Sequence, residues 1–168
     1  MGKVFNISVD PGTSATGICV WENGRVHLLD TLRPDDAKAC YIDKIISIGR
    51  QFRELCMTLI DVENSIVCVA IENFEKHHNK HDEAAGAANA KMAMIKCAGV
   101  KGILIGVADC FADEVIEASK GTTTKEETRL RAKAYGIKVD GKGKERVSKD
   151  ALDAFEIGVC CGMDSRSW

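Results

Sequence analysis

The chain has 168 residues, a formal net charge of −2, 45% hydrophobic residues and 29% charged residues. That length allows one domain over residues 1–168, and that balance excludes a disordered chain. Two prolines and 15 glycines exclude collagen-like and proline-rich classes. No apolar run approaches the roughly 20 residues of a membrane span. The opening MGKVFNISVD lacks a signal-peptide core, so a cytoplasmic location is expected.

Residues 3–10 (KVFNISVD) alternate around Val4, Ile7 and Val9 and predict a buried strand ending at Asp10. Pro11-Gly12 breaks it, the glycine permitting a turn that most residues resist. Ala15–Trp21 predicts a second strand and Arg25–Thr31 a third. Between them Glu22-Asn23-Gly24 is a hairpin signal, so the three form an antiparallel meander.

Over residues 38–60 the period lengthens. Tyr41, Ile45, Ile48, Phe52, Leu55 and Leu59 recur at steps of three or four, the stripe of a surface helix. Ser65–Ile71 (SIVCVAI) is a β-branched run expected of a central strand covered on both faces. It stops at Glu72. The Ala/Gly-rich segment 82–98 predicts a closely packing helix, while Gly102–Ala108 suits either its extension or a strand. Asp113–Ser119 predicts a short strand.

Thr124 N-caps an expected helix to Tyr135, with Glu126 and Glu127 in its first turn. IKVDGKGKERVSK predicts a basic loop, and Ser148 caps a last helix, Lys149–Cys161. The order βββ-α-β-α-β-α-α implies an α/β fold: a mixed five-stranded sheet with helices on both faces.

Charge is uneven along this order. Lys120 to Lys149 holds ten Lys/Arg against four Asp/Glu, a local +6, while the rest carries −8. Such polarity points to a polyanion held by one region, although a solvated helix and loop has the same count. The eight cysteines (Cys19, Cys40, Cys56, Cys68, Cys97, Cys110, Cys160 and Cys161) form no CxxC pair. They are expected as reduced thiols buried like small hydrophobes.

Four acids stand where the pattern leaves the core: Asp10 and Glu72 at strand ends, Asp150 and Asp153 opening the final helix. Each has a bland alternative, as turn former, strand terminator or partner of the helix dipole. Together they carry more, because the ends of strands one and four can be neighbours in a βββαβ sheet. Like charges brought that close repel unless water or a cation separates them. Converging carboxylates supply the hard oxygen ligands of Mg²⁺ or Mn²⁺. Two such ions can activate water and stabilise the leaving oxygen of a phosphodiester. Asp10, on a rigid strand end, is the natural shared ligand.

SVDPGTSATGICVW resembles the first motif of RuvC-type Holliday-junction resolvases, a branch of the ribonuclease-H-like superfamily. VAIENF is similar to the second, with Glu72 at the metal-binding glutamate. SKDALDAFEIGV resembles the last, with Asp150 and Asp153 at its final two acids. The order and separations are compatible across most of the chain. Where some members carry a histidine in the last motif, this chain has Asp150, pointing to an all-carboxylate site.

The resemblance implies a Mg²⁺-dependent endonuclease, with Mn²⁺ as substitute. It would act as a homodimer nicking opposing strands of a four-way DNA junction and leaving 5′-phosphate ends. A two-fold dimer suits a nearly two-fold substrate, and Ala84–Ala98 is the candidate dimer surface, if not an internal helix. Lys120 and Lys125 match the family's lysines around the penultimate helix. Lys125 is expected at the charge developing on the scissile phosphate. Arg129, Arg131, Lys133, Lys142, Lys144 and Arg146 are expected along backbone phosphates. Phe74, two residues past Glu72, is either a base-stacking aromatic or a core side chain. His77, His78 and His81 lack the acid–His pattern of a zinc enzyme. A branch-migration motor as partner stays open.

Two rivals remain. DPGTSATG also resembles the phosphate hairpin of sugar kinases and Hsp70-like ATPases, yet those need two lobes. Another ribonuclease-H-like nuclease, acting on RNA–DNA hybrids or ribosomal RNA precursors, keeps the fold and changes the substrate.

Overall fold

A computed structural model of the chain describes residues 3–60, 65–73, 87–119, 121, 123–139 and 147–165. Strands β1 (Val4–Asp10), β2 (Thr16–Glu22) and β3 (Arg25–Leu32) form the expected antiparallel meander. Asn23 and Gly24 join β2 to β3 at φ values of 49° and 77°. Paired positive φ angles suit the right-handed twist of the flanking strands.

Helix α1 (Tyr41–Ile60) follows, then β4 (Ile66–Glu72), α2 (Ala87–Ala108), β5 (Glu114–Ala118), α3 (Lys125–Ala134) and α4 (Lys149–Cys160). Helix α1 starts at Tyr41, the first residue of the expected stripe. The Asp36 carboxylate takes the Lys38 amide at 2.7 Å, a local turn that competes with helix. Gly102–Ala108, ambiguous in sequence, is the last part of α2. No close approach requires its glycines, since a Cβ at Gly102 or Gly106 would meet nothing within 4 Å.

The sheet order is β3-β2-β1-β4-β5, with β4 parallel to β1 and β5 parallel to β4. All three parallel strands therefore end at one edge. Side chains alternate between two cores. Phe5, Ile7, Val9, Val67, Val69 and Ile71 face α1 and α2, where Ile48, Phe52 and Leu104 are buried. Cys68 and Ala70 lie on the opposite core, under α4, with Trp21, Phe155 and Ile157.

Two glycines let α4 lie close to the sheet. A Cβ at Gly158 would stand 2.5 Å from the Trp21 indole nitrogen and 2.6 Å from Ser8 Oγ. A Cβ at Gly17 would stand 1.8 Å from the Asp150 carbonyl oxygen. Trp21 stacks on Phe155 at 5.4 Å, and Tyr135, at the end of α3, meets both rings edge-on. The protein obstacle at Gly17 is backbone, so it cannot rotate aside. Gly17→Ala is expected to cost about 3 kcal/mol and to lower Tm by roughly 6–12 °C, as calorimetry would record.

Candidate active site

The edge where β1, β4 and β5 end gathers the acids. Parallel pairing runs from Val4↔Ile66 to Val9↔Ile71, so Asp10 and Glu72 are the next residue on each of two adjacent strands. Glu72 is buried and Asp10 half-buried. Both carboxylates act on the same α2 thiol. Burial pushes the Cys97 thiol up, and the negative charges of Asp10 and Glu72 push it further. Lys101, also on α2, donates to Glu117 at 2.7 Å and to Asn73, the residue after Glu72, at 3.4 Å. The Asn73 amide continues the ladder to the Ala118 carbonyl at 2.7 Å, which holds the end of β4 in the sheet.

The turn between β1 and β2 is cinched by one hydroxyl. Thr16 Oγ1 donates to the Gly12 carbonyl at 2.9 Å and accepts from the Gly12 amide at 3.2 Å. Gly12 has an ordinary φ; it is required because a Cβ there would stand 2.3 Å from the Ala15 carbonyl oxygen. The expected need for glycine is met by close approach rather than by a left-handed backbone.

Across that turn comes the start of α4. Ser148 caps it by accepting from the Ala151 amide at 3.0 Å, and its hydroxyl contacts Thr31 Oγ1. Thr31 pairs with Gly17 on β2, and Gly17 pairs with Asp10 on β1. With Asp150 lying directly on Gly17, the first turn of α4 is held over the same end of the sheet as Asp10. Asp153, one turn on, lies 3.7 Å from Lys149. Among the described residues, no three His, Cys, Asp or Glu side chains stand close enough together to hold a metal ion.

Beside α4 a cleft of about 320 Å³ opens towards α3, lined by Lys125, Thr128, Arg129, Ser148, Lys149 and Asp153, with Val147 and Leu152. Lys125 is the first residue of α3, capped by Thr124 in a reciprocal box with Glu127. Three cations thus face one acid at the mouth of two helix N-termini, where anions are favoured. Lys149 was not singled out in the sequence; its only signal was its place beside Asp150.

Arg131, expected along backbone phosphates, has a partner within the protein. Its guanidinium pairs at 2.8 Å with Glu156, a fully buried acid that the apolar pattern of the last helix concealed. The cysteines are all free, but only Cys19, Cys56 and Cys68 are buried. Cys97 and Cys161 are half-buried, and Cys40, Cys110 and Cys160 are exposed, which corrects the expectation of a uniformly buried set. Burial pushes the Cys56 thiol up to about 12. Phe74, His77, His78, His81, Lys120, Lys142, Lys144 and Arg146 lie outside the described residues.

The sheet order and the helices on both faces define a ribonuclease-H-like α/β fold of the kind found in RuvC. Among solved structures, the chain is similar to T. thermophilus RuvC in complex with a Holliday junction substrate. The TM-score is 0.61 and the identity 16%, with 94% of each chain covered. No family model and no curated protein matches the chain. Among the described residues, no helix is long and apolar enough to cross a membrane.

The cap of α3 carries a pH signature. Bonds from the Thr124 amide and hydroxyl hold the Glu127 carboxyl below its usual value of 4.5. A carboxyl held low in the folded state stabilises above its unfolded pKa, and that contribution is lost as pH falls through the folded value. Glu127→Gln is therefore expected to flatten the decline of stability below pH 4.5, read as urea midpoints between pH 6 and 3.

Proposed function

We propose that the protein is a Mg²⁺-dependent endonuclease that nicks four-way DNA junctions symmetrically and leaves 5′-phosphate ends. The observation that carries this reading is the placement of Asp10 and Glu72 on adjacent strand ends, with the first turn of α4 over the Asp10 end of the sheet. That edge belongs to a fold whose structural neighbour is bound to a Holliday junction.

Asp10, Glu72, Asp150 and Asp153 are the proposed holders of Mg²⁺, or Mn²⁺ in its place. Their donors are all carboxylate oxygens, the type these ions take, and two of the four sit on rigid strands. Bound divalent ions supply activation of water and stabilisation of the leaving oxygen. In this reading the carboxylates draw together only around a cation, since like charges at that spacing repel without one. Lys125 and Arg129 bind the phosphate in the cleft beside Asp153, and Lys125 stabilises its growing negative charge. Lys149 adds a third cation there. Lys120, Lys142, Lys144 and Arg146 track flanking phosphates, and Phe74 stacks on a base at the branch point.

A second copy of the chain completes the unit. Ile42 and Ile46 of α1 and Met92, Met94 and Ile95 of α2 are exposed, and apolar residues recur around α2 without one dominant face. A helix of that kind is usually covered. The proposed homodimer packs through α2, as the small residues of 84–98 suggest, and gives two nicking sites for one two-fold substrate.

Binding of the ion is testable without cleavage. Mg²⁺ at 100 times its Kd is expected to stabilise the protein by about 2.7 kcal/mol, raising Tm in calorimetry. Asp10→Asn should remove that shift, and the same shift in the variant would remove Asp10 from the ligand set.

The activity itself is tested by offering a mobile four-way junction, a flap and an RNA–DNA hybrid with Mg²⁺ and mapping the nicks. Paired, symmetric nicks in the junction are expected, from a particle of twice the 18.2 kDa chain mass. Asp10→Asn should cut at least 100-fold more slowly yet bind the junction with unchanged affinity. Binding should weaken steeply with salt, because phosphate contacts release counterions. Cleavage of the hybrid alone, by a monomer, would assign the protein to the hybrid-cutting branch of the fold instead.

A further inference from the structure

Glu156 is the one fully buried charged residue among those described, and nothing in the site above uses it. It lies in α4, one turn beyond Asp153. Burying a carboxylate is costly unless it is paired and bonded. A single oxygen carries its bonds. Oε1 accepts from Thr123 Oγ1 at 2.5 Å and from the Arg131 guanidinium at 2.8 Å. Oε2 is buried with no hydrogen-bond partner among the described residues.

The two donors flank α3. Thr123 precedes its N-cap, and Arg131 belongs to its last turn. Gly121 closes against the same spot, since a Cβ there would stand 2.8 Å from Cys160 Sγ and 3.7 Å from Glu156 Oε1. One carboxylate oxygen thus ties the approach to α3 and the far end of α3 to α4. Exchanging a whole buried ion pair for apolar groups is often neutral or stabilising, so stability alone does not account for an acid here. What an apolar side chain lacks is a directional hold on two points of the neighbouring helix.

We infer that Glu156 is a positioning residue, clamping α3 to α4 so that Lys125 faces Asp153 across the cleft in the cleavage step. The inference rests on the nuclease reading of that cleft. It predicts that weakening the clamp slows cleavage through Lys125 and leaves DNA affinity alone.

Glu156→Gln keeps the shape and removes the charge opposite Arg131. Thr123→Val removes the other bond at a half-buried position outside the helices and serves should the first variant fail to fold. Hydrogen exchange of the full-length protein is expected to be at least tenfold faster at the amides of residues 125–134 and unchanged in β1 and β4. Single-turnover cleavage of a four-way junction should slow at least tenfold with the junction Kd, measured in Ca²⁺, unchanged. In a Lys125→Met background either variant should cost no further rate. An undisturbed exchange pattern in a folded variant, or a loss that multiplies with that of Lys125→Met, would overturn the inference. A wild-type protein that cuts no nucleic acid would sink the nuclease reading instead, and the exchange result would then judge the clamp by itself.

Discussion

Everything at the proposed site depends on how closely α4 can lie on the sheet. Two contacts set that distance: Gly17 under the Asp150 carbonyl and Gly158 against Trp21 and Ser8. Neither glycine has a positive φ, so both are needed for lack of a side chain rather than for backbone freedom. The Ser148 cap and its contact with Thr31 then fix where the helix begins. Were α4 lifted by the thickness of a methyl group, its acids would leave the edge that Asp10 and Glu72 occupy. A glycine on a central strand ordinarily weakens it. Here the loss is offset by the helix that it admits.

The charges follow from the same arrangement. Acids at the ends of parallel strands stand on stiff supports, which suits a ligand set that must meet an ion at short range. The cations come from α3, which is attached mainly through α4, and from the start of α4, which lies on the sheet itself. The two groups therefore have different mechanical anchors: the sheet for Asp10 and Glu72, the α3–α4 contact for Lys125 and Arg129. Their mutual placement is set where α4 touches both, at Gly17 on one side and Glu156 on the other.

Much of this was readable from residue order. Alternation and β-branching marked the strands, the period of three and four marked α1, and Asn23-Gly24 marked the hairpin. Asp10 and Glu72 stood out because an acid directly after an apolar strand is conspicuous. Glu156 did not, since one acid inside AFEIGVCC reads as a solvent-facing position. Only the fold shows Arg131 arriving from α3 to neutralise it and Thr123, just ahead of that helix, donating a hydrogen bond to it. The extent of α2 was hidden for a related reason. Its apolar residues lie all round, so neither the strand nor the helix period dominates over 102–108. Thiol exposure escaped as well, because a cysteine in an apolar run looks buried until the run's outward face is known.

That the fold persists at 16% identity to a RuvC structure indicates how few positions it needs. The alternating cores tolerate exchange among apolar side chains of similar volume, which erodes sequence likeness without moving a strand. Positions fixed by close approach or by charge cannot drift in that way. In this chain those are Gly12, Gly17 and Gly158 and the caps Thr124 and Ser148, joined by the acids at the strand ends and on α4 if they hold the proposed ions. A short set of that kind is too sparse to raise overall similarity. It is nonetheless the set that puts two carboxylates side by side under a helix start.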